Sequence, residues 1–124
     1  MQHVKFFDNC DNFYENKNIY LQIDDDLKKY LMARKYRNFG IQYVFAFNNN
    51  FGASVVKTPF TYGGNNDLWE FAMLKYIKEL YKYELYYCNL TDFSVLGYLS
   101  DADVNFYLKN IKNNNFIKNP VFER

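Results

Sequence analysis

The chain has 124 residues, enough for one domain and too few for a second core. Its 15 basic and 14 acidic residues leave a formal net charge of +1, which removes the bulk attraction that a non-specific nucleic-acid coat depends on. Cys10 and Cys88 are too few for a disulfide framework and match no metal spacing, no apolar leader opens the sequence, and no run nears the roughly 20 apolar residues that span a bilayer. The expectation is a cytosolic domain with free thiols and no membrane association.

Aromatic residues make up 22% of the chain, beside an ordinary 23% that are charged. A domain this small cannot leave so much ring surface in water, so part of it belongs in the core, between subunits or against a flat ligand. A homodimer is therefore expected.

Residues 1 to 23 mix Phe, Tyr, Asp and Asn without a sustained period, apart from a possible short strand at Ile19 to Ile23. Asp24 to Asp26 then precede Leu27, Tyr30, Leu31 and Arg34 at i, i+3, i+4 and i+7, with Lys35 and Arg37 before Gly40. That spacing, with acids first and bases last, predicts a helix in the N-terminal half. Arg34 would continue its apolar stripe, either snorkelling to water or pointing into a shared groove.

Alternation from Ile41 to Phe47, an Asn48-Asn49-Asn50 turn and a second run from Phe51 to Lys57 predict two antiparallel strands. Gly52, Ala53 and Ser54 are small enough for close approach by another backbone or a ligand. Pro59 and Gly63 to Asn66 mark a loop. Residues 67 to 80 have helical spacing at Trp69, Ala72, Met73, Tyr76, Ile77 and Leu80, so periodicity alone favours a helix, although Trp, Phe, Met, Leu and Tyr also suit a strand. Leu85 to Cys88 reads as a short strand. Ser100-Asp101-Ala102-Asp103 reads as a capping box opening a C-terminal helix with Val104, Tyr107, Leu108 and Ile111 on one face, and the tail from Asn113 should fray or pack on a neighbour. The fold class is α+β: a small antiparallel sheet with a helix in the N-terminal half and a C-terminal helix.

His3 is the sole histidine, so one chain cannot assemble a histidine triad or a multi-histidine zinc site. Asp24 to Asp26 fan around a helix axis and suit its dipole better than a cation, and no cofactor is expected. A Glu70 and Asp92 pair for acid–base work competes with ordinary surface roles. The segment from Thr58 to Gly64 is more suggestive. Gly63 and Gly64 allow backbone N–H groups to approach an anion, and Phe60, Tyr62 and Trp69 offer flat faces to a base. It is not a P-loop, because Gly-Lys-Ser/Thr is missing. Arg34, Arg37 and Lys57 are the cations that suit a pyrophosphate, with Ser54, Thr91 and Asp92 as polar partners for phosphate or ribose.

Phe-Gly-Ala-Ser-Val-Val at 51 to 56, Thr-Tyr-Gly-Gly at 61 to 64, Leu-Trp-Glu-Phe-Ala-Met-Leu at 68 to 74, Leu-Thr-Asp at 90 to 92 and Val-Leu-Gly-Tyr-Leu at 95 to 99 occur in an order that resembles the first-described Thoeris anti-defence family of phage proteins. The resemblance implies an α+β homodimer in the host bacterial cytoplasm, and it makes Leu68 to Tyr76 a strand in a hairpin against the helical period, a choice favoured because a two-stranded sheet is only marginally stable. Such a protein would sequester, without cleaving, the cyclic ADP-ribose isomers made by TIR-domain immune enzymes, with the base stacked on aromatics near the subunit interface. Two departures stand out: Lys75 to Glu84 is inserted where that family turns tightly, and Cys88-Asn89 replaces an Asp-Thr-Pro segment. The alternatives are a phage protein that inhibits a host defence nuclease by direct binding, and an enzyme that cleaves such nucleotides with Glu70 as base.

Overall fold

Apolar residues alternate with smaller or polar ones within 41–47, 51–55 and 69–73, a period that puts one set on each side of a pleated strand. The computed structural model, which describes residues 20–120, arranges them in a six-stranded antiparallel sheet. Strands β1 (Leu31–Arg37), β2 (Gly40–Ala46), β3 (Phe51–Lys57), β4 (Trp69–Ile77) and β5 (Lys82–Leu85) are neighbours in chain order. β6 (Leu96–Leu99) also pairs with β4, so the far edge of β4 is shared: Leu74 to Ile77 face β5, while Trp69 and Phe71 face β6. Ile41, Tyr43, Phe45, Ala53, Val55, Trp69, Phe71 and Met73 are buried on the inner side, and Gln42, Ser54 and Glu70 alternate with them on the outer side. Strand is thus the correct assignment for residues 69–77, because Trp69, Phe71 and Met73 repeat every second residue on the buried side and the segment pairs with β3 on one edge and with β5 and β6 on the other.

The helix expected from Asp24 to the residues before Gly40 does not form. A 3-10 turn, Asp25–Tyr30, buries Leu27 and stops, and the chain continues as β1. Two features explain the misleading period. A bulge between Leu31 and Ala33 inserts one residue, so Leu31 (opposite Phe45) and Arg34 (opposite Tyr43) share the inner face although they are three apart. Asn38 and Phe39 then both take positive φ, 52° and 65°, closing a two-residue hairpin of the type whose twist suits antiparallel strands, with Arg37 paired to Gly40. Hairpin pairing with β2 outweighs the helical preference of a short segment. The short strand expected at Ile19 to Ile23 is replaced, over its described residues 20–23, by irregular chain. The strand expected at Leu85 to Cys88 lies earlier, at Lys82–Leu85.

The Asn48 to Asn50 turn joins β2 and β3 as expected, with Phe51 N–H held by Asn49 Oδ1 at 3.0 Å. Helix α1 (Asp101–Lys112) opens on a complete capping box: Asp103 N–H donates to Ser100 Oγ at 3.1 Å and Ser100 N–H to Asp103 Oδ2 at 3.0 Å. Val104, Leu108 and Ile111 are buried against the sheet, and Tyr107 lies over Phe71 at 5.7 Å between ring centroids. The segment after Asn113 packs back on its own chain, with Phe116 edge-on to Phe51 at 4.9 Å and Asn119 N–H donating to Tyr86 Oη at 2.7 Å. Cys88 is a free, buried thiol beside Met73, and burial pushes its pKa up. Cys10 and His3 lie outside the described residues. No helix among the described residues is long and apolar enough to cross a membrane.

The two assignments for residues 31–39 predict opposite signs for one substitution. In the hairpin, Phe39→Gly relieves a left-handed aromatic residue and should stabilise the fold by about 0.5–1 kcal/mol, despite losing a ring contact with Phe60. In a helix, the same change costs about 1 kcal/mol. Urea unfolding of the variant and its parent distinguishes them.

Candidate functional site

The β1 bulge turns Arg34 to the inner side of the sheet, beside Tyr43 of β2. There the chain from Tyr20 to Ile23 crosses in front of β1 and β2, and between them lies a cleft of about 570 Å³ lined by Tyr20, Leu21, Gln22, Ile23, Lys28, Leu31, Arg34 and Tyr43. That volume is in the range of small-molecule sites. The Arg34 guanidinium sits over the Tyr20 ring, 5.7 Å from its centroid. The Tyr43 hydroxyl accepts the Leu21 N–H at 3.1 Å. Burial pushes the Tyr43 pKa up, with the Leu21 N–H and Arg34 pulling it partly back, so the phenol is neutral at physiological pH. Lys28, also in the lining, pairs with Asp25 at 3.0 Å, a contact in which both side chains are exposed to water.

None of the described lining residues is acidic. The cleft therefore combines two cations, two phenolic rings and an apolar floor from Leu21, Ile23 and Leu31, an environment for an anion that carries a flat or apolar body.

The other sequence candidates are not gathered around Arg34. Arg37 is three residues further along a strand and so faces the outer side, where its Nη1 donates to Gln42 Oε1 at 2.9 Å and Gln42 Nε2 to Ser54 Oγ at 2.8 Å. Tyr62 lies over the same outer side, with its N–H donating to Glu70 Oε1 at 2.9 Å. Phe60 and Tyr62 are exposed, the former tilted against Phe39 at 6.4 Å. Arg37, Ser54 and Tyr62 thus share one side of the sheet, and Arg34 has the other.

Lys57 and Trp69 are core residues. Lys57 is 2% exposed, with Nζ 2.7 Å from Asp67 Oδ1 and 4.3 Å from the centroid of the Trp69 indole. Trp69 is fully buried, its other contacts being the edge of Tyr43 at 5.7 Å and Asp101 Oδ1, which accepts its Nε1–H at 2.7 Å. In this arrangement neither offers a face to a ligand. Gly63 and Gly64 also have internal reasons. Gly63 has φ 92°, and a Cβ there would stand 2.8 Å from the Tyr98 Cα, while one on Gly64 would collide with the Thr58 carbonyl at 1.8 Å. Thr91 is fully buried, its hydroxyl without a hydrogen-bond partner among the described residues, and Asp92 ends the same turn with φ 54°. Neither lines the cleft. Asp24 and Asp26 turn to Lys109 and Lys112 on α1, at 2.6 and 3.3 Å.

Sequence reasoning missed Tyr20, Tyr43 and Lys28. Tyr43 has the spacing of a core residue and is one, apart from its hydroxyl edge. Tyr20 falls in a stretch without periodicity, where no local signal distinguishes it. Comparison with protein-family models, curated proteins and solved structures finds no match for the chain.

If Lys57 is held in the core by Asp67, Asp67→Ala removes the carboxylate that pairs a buried ammonium and should destabilise the fold by about 2 kcal/mol, less than for a fully buried pair because Asp67 is partly exposed. Combining it with Lys57→Met should recover more than half of that loss in denaturant titrations. A harmless Asp67→Ala would mean that Lys57 reaches solvent, where it could meet an anion.

Proposed function

We propose that this chain binds and stores, without cleaving it, a small phosphorylated nucleotide of the cyclic ADP-ribose class, acting as a homodimeric anti-defence protein in the host bacterial cytoplasm. The observation that carries the reading is the cleft of Arg34, Lys28, Tyr20 and Tyr43, whose described lining combines cations with rings and contains no acidic residue, the Asp25 partner of Lys28 lying outside it. Arg34 supplies a planar fork for phosphate oxygens, and the rings and aliphatic floor supply contact area for base and ribose. Storage needs affinity and no preference for a transition state, so preformed attraction of this kind suffices. The ordered resemblance of residues 51–99 to the anti-defence family supports the same ligand class.

The exposed rings Phe39, Phe60, Tyr62 and Tyr98 support a second reading, inhibition of a host nuclease through a protein interface. Co-purification with a host protein and calorimetric silence with cyclic nucleotides would favour it.

Calorimetric titration of cyclic ADP-ribose isomers tests the first reading. Arg34→Ala should lower the affinity by at least about tenfold, the loss expected for a charge-assisted hydrogen bond. Arg37→Ala, on the opposite side of the sheet, should change it by less than about twofold. The reverse ranking would move the site to the outer face, and no binding by the parent would end the proposal. Heating the complex should release intact ligand, whereas an enzyme would release a cleaved product.

A further inference from the structure

We infer that Asp101 and Asn105, on helix α1, are positioning residues for the cleft. They fix the strap of residues 21–24 as its wall, and so set ligand affinity without lining it. The inference rests on the reading of the cleft as the ligand site.

A segment that belongs to neither sheet nor helix has to satisfy its backbone polar groups elsewhere. The strap does so through side chains of the core and of α1. Leu21 N–H donates to Tyr43 Oη at 3.1 Å and Gln22 N–H to Asp101 Oδ2 at 3.1 Å. The Gln22 carbonyl accepts from Asn105 Nδ2 at 2.7 Å, and Asp24 N–H donates to Asn105 Oδ1 at 2.8 Å. Asn105, 6% exposed, therefore uses both ends of its amide on the strap. Its Nδ2 also donates to the Asp101 carbonyl at 2.8 Å, one turn back on the helix, which holds its orientation. Asp101 is fixed in turn, because its second oxygen accepts the buried Trp69 Nε1–H at 2.7 Å. Lys109 closes the end of the strap on Asp24 at 2.6 Å.

Leu21, Gln22 and Ile23 line the cleft, whereas Asp101 and Asn105 do not. The wall thus takes its position from a capped helix packed on the sheet. Removing the Asn105 amide leaves the Gln22 carbonyl and the Asp24 N–H to water, and the strap then has to be ordered when ligand binds, at the expense of affinity. Asp101→Asn keeps the shape but replaces one acceptor with an NH2 group facing an N–H donor.

The test compares Asn105→Ala and Asp101→Asn with Ile111→Val, a change in the same helix that trims the core and does not touch the strap. Amide hydrogen exchange reads the strap directly, and calorimetry with cyclic ADP-ribose isomers, below the Tm of every variant, reads the cleft. In Asn105→Ala the amides of Leu21, Gln22 and Asp24 should exchange about tenfold faster relative to β3 and β4, and affinity should fall by about tenfold. Asp101→Asn should act in the same direction, and Ile111→Val should lower Tm with neither effect. Unchanged strap protection in Asn105→Ala, or unchanged affinity of the folded variant, would overturn the inference. If the parent binds no isomer, the functional reading fails and the exchange measurement alone decides whether these residues place the wall.

Discussion

The indole of Trp69 is the point on which the rest of the molecule turns. It is fully buried, with an ammonium on one face, a phenol edge-on and a carboxylate on its N–H. Each partner ties a different part of the chain to the core: Lys57 and Asp67 the loop between β3 and β4, Tyr43 the cleft, and Asp101 the start of α1. A buried ammonium costs several kcal/mol unless it is paired, and a buried indole N–H costs less but still needs an acceptor. Asp67 meets the first demand and Asp101 the second, so displacing Trp69 would leave Asp101 without its indole donor and Lys57 without its ring, together with a cavity the size of the largest side chain of the core.

The sheet separates two kinds of surface. Its inner side carries the apolar core and, at the β1 edge, the cleft with Arg34. Its outer side carries the hydrogen-bonded run Arg37, Gln42, Ser54, with Glu70 two strands away from Gln42 and holding the Tyr62 backbone. The bulge in β1 decides how the two arginines are distributed. Without its extra residue Leu31 and Arg34 would face opposite sides, and the cleft would lose its guanidinium. Bulges commonly re-aim a side chain near functional sites, which agrees with the role proposed for Arg34.

Much of the fold was legible locally. The Asn turn, the alternation of β2 and β3 and the capping box at Ser100 each rest on residues close in sequence whose chemistry admits few conformations, and all three are found where expected. The strand at 69–77 was not legible in the period of its residues, which favours a helix; it was expected from the resemblance, with the weakness of a two-stranded sheet in its favour. The N-terminal-half helix failed because a bulged strand and a helix place the same residues, Leu31 and Arg34, on one side, and only the pairing with β2 separates them. Among the candidate residues, the bulge that carries Arg34 to the cleft has no signature in the sequence, and neither does the burial of Lys57 and Trp69, where Asp67 pairs the ammonium and Asp101 accepts the indole N–H.

What the sequence by itself determined, then, is whatever neighbours along the chain can enforce: the turns, the caps, the period of the central strands, and an aromatic-rich composition with almost no net charge. Tertiary structure alone decided which charges stay outside. Whether a lysine meets an aspartate ten residues away, or an irregular segment finds acceptors on a helix about 80 residues later, depends on contacts that loop closure brings together, and no local pattern encodes them.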